Sequence, residues 1–312
     1  MAASVLNEKH FHDEAAAYCF VEARVWPEGP VCPHCGGVDR ISPLKGKSTR
    51  LGVYKCYDCR KPFTVKVGTV FESSHVKLHL WLQAMFLMAS SKKGISSNQL
   101  HRTLGVTLKT AWFLSHRLRL AMQTVGLPPM GGAGKTVEVD ETFIGKWEGA
   151  PEPKKGGSAH MNVVLTLVER GGEARSFHVA STRRYDVEDV LRANIKSETA
   201  LMTDEANHYR KVGKEFASHD RVVHYKDEYV RYEGEKLITT NTVEGFYSIF
   251  KRGMKGIYQH CSEKHLHRYL AEFDFRYSHR IATGVNDIAR TDRLVKGIVG
   301  KRLTYRRIDQ HA

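Results

Sequence analysis

Four cysteines near the N-terminus restrict the fold of this chain more than any other feature of its sequence. They form two Cys-x-x-Cys pairs, Cys32 with Cys35 and Cys56 with Cys59, and 20 residues separate the pairs. Each pair can direct two thiolates at one ion, and four thiolates are the ligands of a closed, tetrahedral zinc site. Redox-active pairs are the alternative, but such a motif usually occurs once and near a βαβ pattern. We therefore predict a structural zinc ribbon.

The balance of charge indicates a polyanionic partner. The 312 residues include 48 Lys and Arg against 34 Asp and Glu, which gives a formal net charge of +14. Nucleic acid is favoured because neutralising phosphates releases counterions, although a merely soluble basic protein would have the same balance. No apolar run approaches the ~20 residues of a membrane span, and the N-terminus lacks a signal-peptide pattern. We expect a cytoplasmic protein with no membrane partner.

A helical segment follows the cysteines. Ser96 begins a short helix that ends at Gly105, and Thr107 begins a longer one. A short helix, a glycine turn and a longer helix form the helix-turn-helix pattern, although an ordinary helical packing unit would have the same pattern. The side chains of the second helix that we predict to contact DNA are Lys109, Thr110 and Arg117.

After a glycine-rich linker the sequence changes to strands. Residues 135–140 alternate in polarity, and residues 162–168 are apolar and β-branched. Gly171 and Gly172 predict a hairpin into a further strand at 175–180. Antiparallel strands followed by alternating helices and strands predict an α/β layer of the ribonuclease H-like kind.

Three acidic residues stand out in this region. Asp140 and Asp204 lie at or near strands that such a sheet would place side by side. Glu244 follows in an amphipathic helix, on the same polar face as Asn241 and Lys251. Each acid alone has an ordinary structural explanation, and Asn241 with Glu244 is also a capping-box pattern. The set of three acids with a lysine favours an active site.

Taken in order, these motifs resemble the zinc-ribbon DDE transposases of bacterial insertion sequences, the ISXO-two-like transposase family. The matching segments are 26–36, 54–59, 67–71, 139–142, 203–205, 241–252 and 266–277.

The resemblance implies a ribonuclease H-like domain that uses two Mg²⁺ ions, with Mn²⁺ as the alternative. Asp140 and Asp204 would be metal ligands and Glu244 the third acid, supported by Asn241, whose position some relatives use. Lys251, followed by Arg252, would contact DNA near the cut. Two ions held about 3.5–4 Å apart clamp the attacking and leaving oxygens of an in-line displacement.

The implied activity is strand cleavage at the terminal inverted repeats, followed by joining of the freed 3′-hydroxyl to target DNA. The implied partners are double-stranded DNA, as element ends and target, and a second copy or a larger assembly on that DNA. A DNA-binding regulator with an inactive catalytic domain is one alternative. A nuclease of the same fold that cuts without joining is another.

The expected organisation is multidomain. We predict a zinc ribbon with an N-terminal helix over 1–75, a helix-turn-helix segment over 76–125 and a linker over 126–134. The α/β catalytic domain would cover 135–282, and a basic tail would cover 283–312.

Overall fold

A computed structural model describes residues 4–150 and 157–304 of the chain. These residues form two compact units. The first, called the N-terminal unit, contains 4–91, 95–123 and 286–304, and the second, called the sheet unit, contains 92–94 and 124–285 apart from the undescribed 151–156. Within the described ranges, no helix combines the length and the apolar character that crossing a membrane requires.

The N-terminal unit consists of a small three-stranded sheet and five helices. The strands are antiparallel in the order β1 (Ile41–Pro43), β2 (Tyr54–Cys56) and β3 (Pro62–Phe63). The helices are α1 (Glu14–Val25), α2 (Leu78–Ser90), α3 (Ser97–Leu104), α4 (Leu108–Met122) and a C-terminal helix at Asp287–Lys296.

Helices α3 and α4 begin and end as their local sequence dictates. The Ser96 hydroxyl accepts a hydrogen bond from the Gln99 amide (3.1 Å), and the Thr107 hydroxyl accepts one from the Thr110 amide (3.2 Å). Gly105 ends α3 at a φ of 65°, a conformation that glycine adopts without a steric penalty. The two helices and the turn between them therefore occupy the predicted positions.

The C-terminal segment differs from the predicted basic tail. Asn286 caps the helix Asp287–Lys296 by accepting a hydrogen bond from the Ala289 amide (2.9 Å). Leu294 and Val295 are fully buried, and the helix packs on α2 within the N-terminal unit. Apolar residues are sparse in this helix, so its sequence reads as polar although one face is buried. Residues 305–312 of the predicted tail lie outside the described residues.

The sheet unit is built on a five-stranded mixed sheet. Its strands are β4 (Thr136–Ile144), β5 (Asn162–Glu169), β6 (Ala174–Val179), β7 (Ala200–Thr203) and β8 (Ser218–Arg221). They lie in the order β6-β5-β4-β7-β8. Strand β5 is antiparallel to both β4 and β6, whereas β7 and β8 run parallel to β4. This arrangement is the α/β sheet that the sequence predicted.

Helices cover both faces of this sheet, and a hairpin lies beside it. The further elements are α5 (Arg184–Asn194), α6 (Tyr209–Val212), the hairpin strands β9 (Val230–Glu233) and β10 (Lys236–Thr239), α7 (Asn241–Gly253) and α8 (Glu263–Ser278); the C-terminal helix of the N-terminal unit is α9. One face packs on α5 and α6 through residues such as Val139, Val187 and Tyr209. The other packs on α7 and α8 through Val164 and Phe250.

Glu138 joins strand β4 to the start of α7. Its side chain is fully buried, and its carboxylate accepts hydrogen bonds from the Thr242 amide (2.7 Å), the Thr242 hydroxyl (2.8 Å) and the Val243 amide (3.1 Å). The guanidinium of Arg170 donates to the same carboxylate at 2.6 Å. A buried carboxylate is stable only with such partners, and here it satisfies the unpaired amides at a helix N-terminus.

We expect Glu138→Ala to lower the free energy of unfolding of the sheet unit by about 3–5 kcal/mol, because it leaves Arg170 and two helix amides without their partner. Urea denaturation, with hydrogen exchange at the amides of Thr242 and Val243, measures this loss. Exposed Glu235 provides the control, and Glu235→Ala should change stability by no more than about 0.5 kcal/mol. Equal stability of the two variants would contradict the role given to Glu138.

Candidate active site and metal centre

The four predicted cysteines meet in the N-terminal unit. The sulfur atoms of Cys32 and Cys59 lie 3.6 Å apart, those of Cys35 and Cys56 lie 3.7 Å apart, and all four lie within 4.8 Å of one another. A tetrahedral site with Zn–S bonds of about 2.3 Å places its sulfurs about 3.8 Å apart. The donor set and its spacing therefore fit a structural zinc ion, as predicted.

The backbone shapes both cysteine turns in the same way. The Cys32 amide donates to the Gly37 carbonyl (2.9 Å), and the Cys56 amide donates to the Lys61 carbonyl (3.1 Å). The residue after each second cysteine has a left-handed conformation, with a φ of 77° at Gly36 and 62° at Arg60. Arg60 adopts a conformation that is costly for a residue with a Cβ, and its place directly after Cys59 corresponds to that of Gly36 after Cys35.

The three predicted acids lie on neighbouring elements of the sheet unit. Asp140 is on β4, Asp204 directly follows β7, and Glu244 is in the first turn of α7. Strands β4 and β7 are parallel neighbours with Glu138 opposite Met202, and the same register continued by two residues aligns Asp140 with Asp204. The strand pairing thus places the two aspartates side by side.

Electrostatic coupling links these acids. The pKa of Asp140 is raised to about 7 by burial first and then by the charges of Glu141, Asp204 and Glu244, against a hydrogen bond from the Glu141 amide that lowers it. Burial, followed by the charges of Glu141 and Glu205, also raises the pKa of Asp204. Among the described residues, only the four cysteines are close enough as a group to share one ion. The carboxylates therefore interact through charge without converging on one point.

Glu244 is held from two sides. Its carboxylate accepts a hydrogen bond from the Thr240 hydroxyl (2.7 Å) and lies 3.7 Å from the imidazole Nε2 of His224. Asn241, by contrast, is exposed. The capping-box alternative is not formed, because Thr240 is the N-cap residue without a side-chain cap bond and Glu138 occupies the helix N-terminus.

A fourth acid lies beside these three: Glu141 was not predicted as part of the site. One of its carboxylate oxygens accepts hydrogen bonds from His208 Nε2 and from the Tyr209 hydroxyl, both at 2.6 Å. Burial lowers the pKa of His208, but the hydrogen bond and charge of Glu141 and the charge of Asp204 outweigh it and raise the pKa overall. The contact fixes the segment after Asp204 to strand β4. In the sequence, only the position of Glu141 next to Asp140 indicates that it belongs to the site. That position does not show that His208 and Tyr209 are its partners.

Helix α7 carries the predicted basic residues. The Tyr247 hydroxyl lies 2.6 Å from the Asp140 carbonyl oxygen and so ties this helix to β4. Lys251 and Arg252 are exposed further along it, and Arg252 donates to the Ser248 carbonyl (2.9 Å). The same helix therefore carries the third acid and two accessible cations.

The three predicted DNA contacts on α4 have different environments. Lys109 is exposed and Thr110 is half-buried, with its hydroxyl 2.8 Å from that of Thr107. Arg117 is only 6% exposed, and its guanidinium donates to the carbonyls of Val70 and Glu72, each at 2.9 Å. Arg117 therefore holds the N-terminal unit together, contrary to the predicted DNA contact, because the backbone uses its donors.

These features define a zinc-ribbon protein with an α/β sheet unit. Comparison with known families identifies the family of both parts. Residues 12–62 match the transposase zinc-ribbon domain, and residues 131–278 match the ISXO2-like transposase domain. The chain belongs to this family of zinc-ribbon transposases, which confirms the resemblance seen in its sequence. It is also 25% identical over 283 residues to an uncharacterized protein in transposable element ISH50 of Halobacterium salinarum; the match covers 86% of this chain and 92% of the relative.

We expect one zinc ion per chain in purified protein, measured by elemental analysis. Cys56→Ser should lose this zinc and unfold the ribbon, because three short strands without the metal bury too little apolar surface to be stable. Cys19→Ser, an exposed cysteine outside the cluster, should retain it. Full zinc content in Cys56→Ser would rule out the four-cysteine site.

The raised pKa of Asp140 predicts a pH dependence of stability. Between about pH 4 and 7 the folded state keeps a proton that the unfolded state has released, so this group's stabilising contribution is complete below pH 4 and is lost as the pH rises through 7. The slope is at most about 1.4 kcal/mol per pH unit and is smaller with solvent screening. Without added Mg²⁺, stability should fall more steeply between about pH 4 and 7 for the wild type than for Asp140→Asn, because the variant loses only this group's contribution and keeps that of buried Asp274, whose pKa is also raised to about 7. Identical pH profiles would contradict the coupling of these acids.

Proposed function

We propose that the protein is an insertion-sequence transposase that binds the terminal inverted repeats of its element, cleaves strands there and joins them to target DNA. The observation that carries this proposal is the pairing of β4 with the parallel strand β7, whose register, continued by two residues, aligns Asp140 with Asp204. Burial raises the pKa of Asp140, and the charges of Glu141, Asp204 and Glu244 contribute to this shift; carboxylates gathered in this way occur where a protein assembles a catalytic or metal site. In a member of a transposase family, such a site is best assigned to strand cleavage.

The order of the strands supports a ribonuclease H-like fold for the sheet unit. Three antiparallel strands, β4 to β6, are followed by two strands that add on the other side of β4 and run parallel to it. This order places the central strand β4 beside β7, so that their acids are neighbours. We assign the sheet unit to this fold on that basis.

The donor set of the site fits Mg²⁺. Asp140, Asp204 and Glu244 offer hard carboxylate oxygens, and their mutual repulsion favours a divalent cation among them. Bound Mg²⁺ would activate the attacking oxygen and neutralise charge on the leaving one. Thr240 and His224 orient Glu244, whereas Glu138 and Tyr247 fix the helix that carries it. Glu244, whose charge contributes to the raised pKa of Asp140, is favoured over exposed Asn241 as the third acid.

Recognition of the element ends is assigned to the N-terminal unit. Helices α3 and α4 with their turn match a helix-turn-helix, and Lys109 and Thr110 lie in the first turn of the second helix, where such motifs contact DNA. The zinc ribbon adds cations on a small metal-stabilised surface. Lys251 and Arg252 would hold the DNA near the cut, and a second copy of the chain would bring the other element end.

Asp204→Ala tests the proposal directly. Purified protein is incubated with Mg²⁺, a labelled duplex of an element end and a target plasmid. We expect the wild type to cleave and join the duplex, and we expect the variant to lose both activities by at least about a thousandfold while it still binds the duplex, because the acid contributes to chemistry rather than to recognition.

The exposed acid Asp189 on α5 supplies the matched control, and Asp189→Ala should cleave and join as the wild type does. Cleavage without joining would indicate a nuclease of the same fold. Binding without cleavage by the wild type would indicate a DNA-binding regulator, and either result would overturn the proposal.

A further inference from the structure

An open groove follows the edge of the sheet at β8. It has a volume of about 770 Å³, and its charged lining residues are Arg210, Lys211, Lys214 and Arg221. The first three are exposed, and Arg221 is half-buried. No salt bridge within the described part of the chain engages any of these four cations. We call this surface the basic groove; its positive charge is available to a partner.

The floor of the basic groove is connected to Asp204. Arg221 lies opposite Thr203 in the pairing of β8 with β7, and Thr203 directly precedes Asp204. The Thr203 hydroxyl donates to the Asp204 carbonyl (2.8 Å) and lies 2.9 Å from His219 Nε2, which can donate to it. The groove therefore begins next to one of the acids of the candidate site.

Gly213 makes room for this connection. A Cβ at this position would lie 2.0 Å from Nδ1 of His219, so any larger residue would displace the imidazole that links the groove to Thr203. Burial and then the charge of Arg221 lower the pKa of His219, so the ring acts as a neutral partner. The positive charge of the groove belongs to its arginines and lysines.

The chemistry of the basic groove suits an extended polyanion. The lining contains no carboxylate, and Phe216 provides an apolar wall. Arg210 and Lys211 lie on α6, and Lys214 follows in the single 3-10 turn Gly213–Glu215, so the three exposed cations come from one continuous segment and can contact neighbouring phosphates. The groove is open rather than enclosed, which suits an extended chain of phosphates better than a small ligand. The sugar–phosphate backbone of DNA fits these features.

The basic groove lies on a different side of the acids from Lys251 and Arg252. Helix α6, which supplies Arg210 and Lys211, packs on the α5 face of the sheet, whereas α7 packs on the opposite face. Two separate basic surfaces therefore approach the acids. A reaction that joins one DNA to another needs two DNA segments at one site.

We propose that the basic groove binds the backbone of the target DNA, while Lys251 and Arg252 hold the element end. The proposal rests on the proposed function and assigns the second DNA substrate to a surface. Backbone contacts carry no base information, so binding in the groove is independent of target sequence.

The test is the triple variant R210Q/K211Q/K214Q, whose three side chains are exposed. Cleavage of an element-end duplex should stay within twofold of the wild type. Joining of a pre-cut end to a target plasmid should fall at least tenfold and recover when the plasmid concentration is raised. For a duplex of unrelated sequence, the slope of log affinity against log salt should decrease by about 2 to 3, because each phosphate contact contributes roughly 0.9.

A charge-matched control on the same unit is R183Q/K196Q/K264Q, whose side chains are exposed outside the groove. It should join and bind as the wild type does. An equal loss of cleavage and joining in the groove variant, unchanged joining, or an equal defect in the control would each overturn the proposal. If the wild type neither cleaves nor joins, the proposed function fails instead. DNA binding by the basic groove is then tested separately, and it is overturned if the groove variant has the same salt slope as the wild type.

Discussion

Glu138 is buried where strand β4 meets helix α7, and the position of the candidate active site depends on its hydrogen bonds. The carboxylate binds Arg170 and the first amides of α7 at the same time. It lies two residues before Asp140, and the helix that it holds carries Glu244. One buried charge thus fixes the distance between two acids that are 104 positions apart in sequence. The cost of burying this charge is offset only because every partner is in place.

The two units are stabilised in different ways. The sheet unit has apolar clusters on both faces of a five-stranded sheet, so burial of apolar surface stabilises it and leaves polar residues available at the strand ends. The ribbon has three short strands around Cys32, Cys56 and Phe63, which is too small a core for independent stability. Its cysteines replace the missing core with metal–ligand bonds. Four ligands close the thiolate site, so our proposal assigns the chemistry to the carboxylates of the other unit.

Local signals were the easiest to predict. The cysteine spacing, the caps at Ser96 and Thr107 and the glycine at position 105 each depend on a few neighbouring residues, and the structure has them as expected. The hairpin of β9 and β10 was missed, although Gly234 (φ 60°) forms its turn, because its strands have only four residues each and half of these are polar. Helix α9 was missed because apolar residues are sparse in it. A sequence pattern shows which face of an element can be buried by the difference in polarity between its faces. In a short element with many polar residues, this difference is too small to detect.

The sequence by itself determined the zinc ligands, the family and the order of the three acids, because spacing and residue type encode these features directly. Only the tertiary structure decided which charged residues are available. Arg117 looked like a DNA contact on an amphipathic helix, yet backbone carbonyls from distant segments use its donors. Glu141 became a partner of His208 and Tyr209, and Arg221 came to lie opposite Thr203, the residue before Asp204, across a strand pair. Such roles depend on contacts between residues far apart in the chain, and no local pattern records them.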